Sequence, residues 1–123
     1  MTRPSKADTP HEVGAIMRTL PQRFRAERLK GWSGTFHWDI RGAEEPAWTV
    51  RISDAECEVV PRHEGEPDCI VRIGAKTFVA VEIGERNPVF AFAKGKIKIS
   101  NVGNMRRYDR AFFKFHDVPA ADA

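Results

Sequence analysis

Four histidines, His11, His37, His63 and His116, are the side chains best able to bind a metal or move a proton, and none lies at ligand spacing from another. The serines, Ser5, Ser33, Ser53 and Ser100, sit in no G-x-S-x-G turn that would expose a nucleophile. Glu44 and Glu45 share a turn-like segment, and Glu56 and Glu58 share the outer face of a strand. Both pairs read as solvated charge rather than as a general acid and base. Asp39 and Tyr108 are the acid–base pair that an enzymatic reading would use, but strand phase puts Asp39 on the outside. The glycines are dispersed as turn and cap residues and form no phosphate-binding loop. Cys57 and Cys69 make no C-x-x-C pair and are expected as reduced core thiols. The residues thus point to no catalytic group, no metal site and no cofactor.

The elements that would position any site are legible from periodicity. Residues 1–10 read as a flexible tail. Val13, Ile16, Met17 and Leu20 then form a helical stripe, with Thr9 as N-cap and Pro10 at the first helical position. Pro21 interrupts that helix and opens a second, to Leu29, with Phe24 facing in and Gly31 as its stop. A two-residue period follows. Phe36, Trp38 and Ile40 oppose His37, Asp39 and Arg41; Trp48, Val50 and Ile52, then Cys57 and Val59, then Cys69, Val71 and Ile73 repeat the pattern. These are four strands with one dry face and one wet face.

After Gly74 the period becomes helical. Ala75, Phe78, Val79 and Ile83 share a face that Gly84 ends, and "NPVFAFAKG" reads as a short helix with Asn87 as N-cap, Pro88 first and Gly95 as terminator. "KIKIS" is a fifth strand. "NVGNMRRYDRAFFKF" is a closing helix with Met105, Tyr108, Phe112 and Phe115 on one face. Helices must cover the dry face of the sheet, so the fold class is α+β, with a five-stranded, mostly antiparallel sheet.

Composition bounds the rest. The chain has 123 residues, 41% hydrophobic and 30% charged, enough for one domain with a real core. The opening residues lack the apolar run of a signal peptide, so a cytoplasmic location is the expectation. Net charge is +3, but it is segregated. Residues 1–38 carry seven basic and three acidic groups, residues 39–68 three and nine, and residues 69–123 ten and five. The acidic middle, and aromatics that fall on the buried phase of each element, argue against nucleic acid as a partner.

"PVFAFAKGKIKIS" resembles the signature stretch of the sterol carrier protein 2 family, in which a proline and an apolar run containing alanine precede Gly-Lys-apolar-Lys-apolar. Pro88, Ala91, Gly95, Lys96, Ile97, Lys98 and Ile99 match in order. Upstream, "EIGERNP", "AWTVRISDAECEV", "GEPDCIVRIGAKTF" and "TLPQRFRAERLKGWSGTFHWDIRG" resemble further family segments, so the likeness runs from His11 to Phe115. It assigns residues 11–116 to one domain, with 117–123 as a C-terminal tail. Two departures stand out: Asn101 and Val102 where the family usually has a glycine and then an acidic or amide residue, and Ala55 where glycine is common.

The resemblance implies helices covering one face of the sheet and an elongated apolar tunnel between them. It also implies reversible, non-enzymatic binding and transfer of a lipid or fatty acyl ligand: sterols, fatty acids, fatty acyl-CoA or phospholipid. The tunnel wall would take Phe36, Trp38 and Val50 from the early strands and Phe78 and Ile83 from the helix after Gly74. Phe90 and Phe92 would come from the short helix, Ile97 from the last strand, and Met105, Tyr108 and Phe112 from the closing helix. Arg106, Arg107 and Arg110 would meet lipid headgroups or make transient contact with an anionic membrane surface. An enzyme acting on a lipid-like or polyketide substrate in the same cavity, or an accessory protein-interaction module, are the alternatives. The sequence leaves the oligomeric state open.

Overall fold

In the computed structural model, residues 12–25, 27, 31–53 and 56–112 are described. They form α1 (Val13–Met17), α2 (Leu20–Arg23), β1 (Ser33–Arg41), β2 (Ala47–Ser53), β3 (Glu56–Val60), β4 (Cys69–Gly74), α3 (Ala75–Glu82), α4 (Pro88–Ala93), β5 (Ile97–Ile99) and α5 (Val102–Arg110). The sheet has five strands in the order β3-β2-β1-β4-β5. Three neighbouring pairs are antiparallel, and β1 pairs with β4 in parallel, Trp38 opposite Val71. The sheet is therefore mixed and mostly antiparallel.

Alternation places Phe36, Trp38 and Ile40 of β1 on the face that the helices cover, with Val50 and Ile52 of β2 and Val71 and Ile73 of β4 also buried. Val13, Ile16, Met17 and Leu20 bring the first two helices onto the same core, as their stripe predicts. The other face is not uniformly wet. Thr49 is 1% exposed there, because the chain after β3 folds back across it. The Thr49 hydroxyl donates to the Arg62 carbonyl (2.6 Å) and accepts from the Glu64 amide (2.9 Å). His63, from the same loop, stacks on His37 of β1 with centroids 4.6 Å apart. A strand's periodicity carries no trace of such a cover, since the covering residues are distant in sequence.

Helix ends follow local chemistry. Asn87 and Asn101 cap α4 and α5 by accepting from the Val89 amide (2.8 Å) and the Asn104 amide (3.0 Å). Asn101, the departure beside the last strand, thus serves as an extended N-cap. Gly84 and Gly95 follow α3 and α4 with φ of 82° and 76°, a region closed to most side chains. The helix expected over Pro21–Leu29 ends at Arg23, because Phe24 turns extended and bridges to Phe112. That bridge also ends the closing helix: α5 stops at Arg110 rather than running on to Phe115. Thr9, Pro10 and Phe115 lie outside the described residues.

Candidate functional site

The interior between sheet and helices is an aromatic nest. Tyr108 of α5 lies 4.8 Å from Phe36, 5.7 Å from Trp38 and 4.7 Å from Phe112, ring centroid to centroid, and Phe78 of α3 meets Trp38 edge-on at 5.6 Å. Val50 and Ile97 are buried in the same core, and Met105 packs against it. Burial pushes the Tyr108 phenol well above its ordinary pKa, and Glu82 adds to the shift. A phenol so placed stays protonated. The Trp38 indole Nε1 is buried and has no acceptor among the described residues.

A ligand-sized space lies one layer further out. A groove of about 540 Å³, open to solvent, runs between α1, the β1–β2 turn and α3. Val13, Ala43, Ala75, Val79 and Ile83 give it an apolar floor, and Gly14, Ala15, Gly42 and Ala80 keep it wide. The floor is the back of the core: Val13 belongs to the core cluster, and Ala43, Ala75 and Val79 pack against it. Gly42 takes a φ of +87°, and a Cβ there would lie 3.8 Å from the Ala75 Cβ, so this turn fits close to α3.

Charge rings the opening. Glu12, Glu44, Glu45 and Glu85 face Arg18 and Lys76 around the rim. The Arg18 guanidinium lies over the Trp48 ring (5.2 Å) and donates to Glu45 at 3.2 Å. A Cβ on Gly14 would come within 2.8 Å of an Arg18 nitrogen, so the glycine leaves room for the arginine to lie there.

Of the eleven side chains expected on a tunnel wall, Ile83 lines this groove. Phe36, Trp38, Val50, Phe78, Ile97, Met105, Tyr108 and Phe112 are assembled in or against the core. Phe90 and Phe92 are placed differently, 67% and 41% exposed on α4. The reason is length: α4 has six residues and buries only Ala91, leaving both phenylalanines on the outer arc. Arg106, Arg107 and Arg110 are exposed on α5, with Arg107 over the Trp32 ring at 5.7 Å.

Asp39 and Tyr108 are not brought together. Tyr108 packs on the face carrying Trp38, and Asp39, the next residue along β1, points to the opposite one. The groove residues that sequence reasoning missed are the small ones, Gly14, Ala15, Gly42, Ala43, Ala75 and Ala80. Their signal was the clustering of Gly and Ala at the start of α1, in the β1–β2 turn and along α3. Buried charge also tightens the helical layer. Arg23 of α2, 3% exposed, bonds Glu82 of α3 at 3.0 Å and Thr19 Oγ1 at 3.0 Å. Cys57 lies nearby, its thiol pushed up to about 12 by burial, against the opposing pull of Arg23.

Comparison with known proteins gives this arrangement a context. The model of the SCP-2 sterol transfer family matches residues 16–108. Human sterol carrier protein 2 is 31% identical in an alignment of 107 residues that covers 82% of this chain and 19% of that protein, so the chain spans under a fifth of its relative's length. Among solved structures, sterol carrier protein domain 2 of Helicoverpa armigera superposes with a TM-score of 0.63 at 21% identity, covering 83% of this chain and 87% of that one. The sec-alkylsulfatase Pisa1 from Pseudomonas sp. superposes with a TM-score of 0.70 at 12% identity, covering 81% of this chain and 16% of the enzyme. At such identities the two structures speak for the fold alone.

Proposed function

The chain belongs to the SCP-2 sterol transfer family, and from that premise we propose that it is a non-enzymatic lipid carrier domain, taking the apolar tail of an amphiphile into the groove between α1 and α3. One observation carries this: a 540 Å³ groove whose apolar floor is continuous with the core. That volume is in the usual range of small-molecule sites. Burying ~400 Å² of apolar ligand surface contributes about 10 kcal/mol. Lost translational freedom and chain ordering offset much of that. Micromolar affinity with broad tolerance of tail structure is the expected result, and it suits a carrier that must also release.

The rim narrows the ligand class. Four carboxylates face two cations, and one of those cations, Arg18, is already engaged by Glu45. A net charge of about −2 disfavours anionic headgroups at this mouth. Sterols and zwitterionic phospholipids are therefore the preferred ligands, with free fatty acids and fatty acyl-CoA weaker. Phe36, Trp38, Phe78 and Tyr108 belong to the core that this floor joins, and Arg106, Arg107 and Arg110 meet anionic headgroups at a membrane surface. The separation of Asp39 from Tyr108 favours the carrier reading over catalysis.

The test is organic-solvent extraction of the purified protein with mass spectrometry of the extract, followed by titration with a fluorescent sterol and a fluorescent fatty acid. Saturable sterol binding, with fatty acid binding that is weaker and strengthens as salt screens the rim, is expected. A protein that carries no lipid and binds neither probe overturns the proposal.

A further inference from the structure

Helix α4 is held to the fold by one side chain. Ala91 is 2% exposed, while Val89, Phe90 and Phe92 are 70%, 67% and 41% exposed. Successive residues step about 100° around a helix, which sets these three on an arc opposite Ala91. Large apolar side chains held out in this way are not packing errors of a long element. They are the main outward surface of a short one.

The surroundings of this arc are basic. In sequence it is flanked by four cationic residues, Arg86, Lys94, Lys96 and Lys98, with no carboxylate from Arg86 to Lys98. Lys94, Lys96 and Lys98 are all exposed along the run from the end of α4 through β5. Glu85, the acidic residue just before this stretch, lines the groove instead. Sheet order sharpens the asymmetry. β5 is one edge strand and β3, with exposed Glu56 and Glu58, is the other. Four strand spacings separate them by roughly 19 Å. The molecule is thus acidic along one sheet edge and basic, with bare aromatics, at the other.

We propose that α4 and the start of β5 form a docking surface for an anionic lipid bilayer, with Val89, Phe90 and Phe92 entering the headgroup–acyl boundary and Lys94 and Lys96 pairing with lipid phosphates and carboxylates. Interfacial binding of this kind combines buried apolar area with attraction to anionic lipid. Charge complementarity favours this partner: the basic residues suit an anionic surface, and a second copy docked through the same face by two-fold symmetry would set the same lysines against each other. The proposal extends the carrier reading, because it names the face presented to the membrane from which lipid is collected, but it rests on residues outside the groove.

The test is co-sedimentation of the full chain with phosphatidylcholine vesicles, either plain or containing about one-third phosphatidylserine. Binding to the anionic vesicles only, falling as salt rises, is expected. Phe90→Ser with Phe92→Ser should weaken it at least about tenfold. Lys94→Glu with Lys96→Glu should weaken it by about fivefold or more for each lysine. Both variants alter exposed side chains, and each should keep the wild-type melting temperature and bind fluorescent sterol normally in vesicle-free solution. Wild-type protein that ignores anionic vesicles, or variants that bind them undiminished, overturn the proposal. So does a dimer in sedimentation velocity that Phe90→Ser with Phe92→Ser dissolves, which would give the patch to a second copy. Vesicle binding without sterol uptake would instead count against the groove and leave the docking face standing.

Discussion

Filling the groove is the most direct way to challenge its role. Ala80 lines it from α3 and is partly exposed, so a larger side chain there points into the space rather than into the core. A cavity of about 150 Å³ accommodates a benzene ring. Ala80→Phe therefore occupies roughly a quarter of the 540 Å³ available. Displacing about four methylenes of a bound tail, at about 0.8 kcal/mol each, removes about 3 kcal/mol of binding. That corresponds to a dissociation constant raised roughly a hundredfold. The change in helix propensity costs only about 0.5 kcal/mol of stability, so the variant stays folded. Titration of wild type and Ala80→Phe with a fluorescent sterol, with circular dichroism as the folding control, reads the effect. A folded Ala80→Phe that binds sterol within twofold of wild type, by about 0.4 kcal/mol or less, removes the groove from consideration.

Further expectations test the frame around the site. Arg23→Ala breaks the buried link between α2 and α3 and should lower unfolding free energy by about 3 kcal/mol in urea titrations. Thr49→Val strips both hydrogen bonds that hold the returning loop over β2 and should cost about 1–3 kcal/mol, with faster amide exchange at Glu64. Asn101→Ala removes the α5 cap and should cost about 1 kcal/mol by thermal melting. The Cys57 pKa is raised on folding from 9.0 to about 12, so the thiolate is disfavoured in the native state: its contribution to stability is complete below pH 9 and is lost as pH rises toward 12. Cys57→Ala should flatten that alkaline decline, and native wild-type protein should react with iodoacetamide at pH 8 far more slowly at this position than urea-unfolded protein.

What the sequence made legible was everything with a local period. Phe36, Trp38 and Ile40, or Val13, Ile16 and Met17, announce their buried faces through spacing alone, and Gly84 and Gly95 announce helix ends through conformational need. Pairing across distance was not legible. Nothing in β1 says that its second neighbour is β4, in parallel, or that Thr49 will be sealed by the backbone of Arg62 and Glu64. The groove was missed for a different reason. Sequence reasoning looks for a hydrophobic site among large residues, but large residues such as Phe36 and Tyr108 fill space, and space is left where Gly14, Ala75 and Ala80 stand. Phe90 and Phe92 were sought on an inner wall because apolar residues usually go inside, a tendency that a six-residue helix at a sheet edge does not have the contacts to enforce.

The parallel pairing of β1 with β4 also bears on how the chain must be made. β1 ends at Arg41 and its second partner begins only at Cys69, so the meander of the first three strands can form while one flank of the central strand still lacks its neighbour. Such a half-finished ribbon exposes unpaired amides beside Phe36, Trp38 and Ile40, the features that invite aggregation. Nascent chains stalled before residue 69 should therefore clump or recruit a holdase, whereas those extended through β4 and β5 should not.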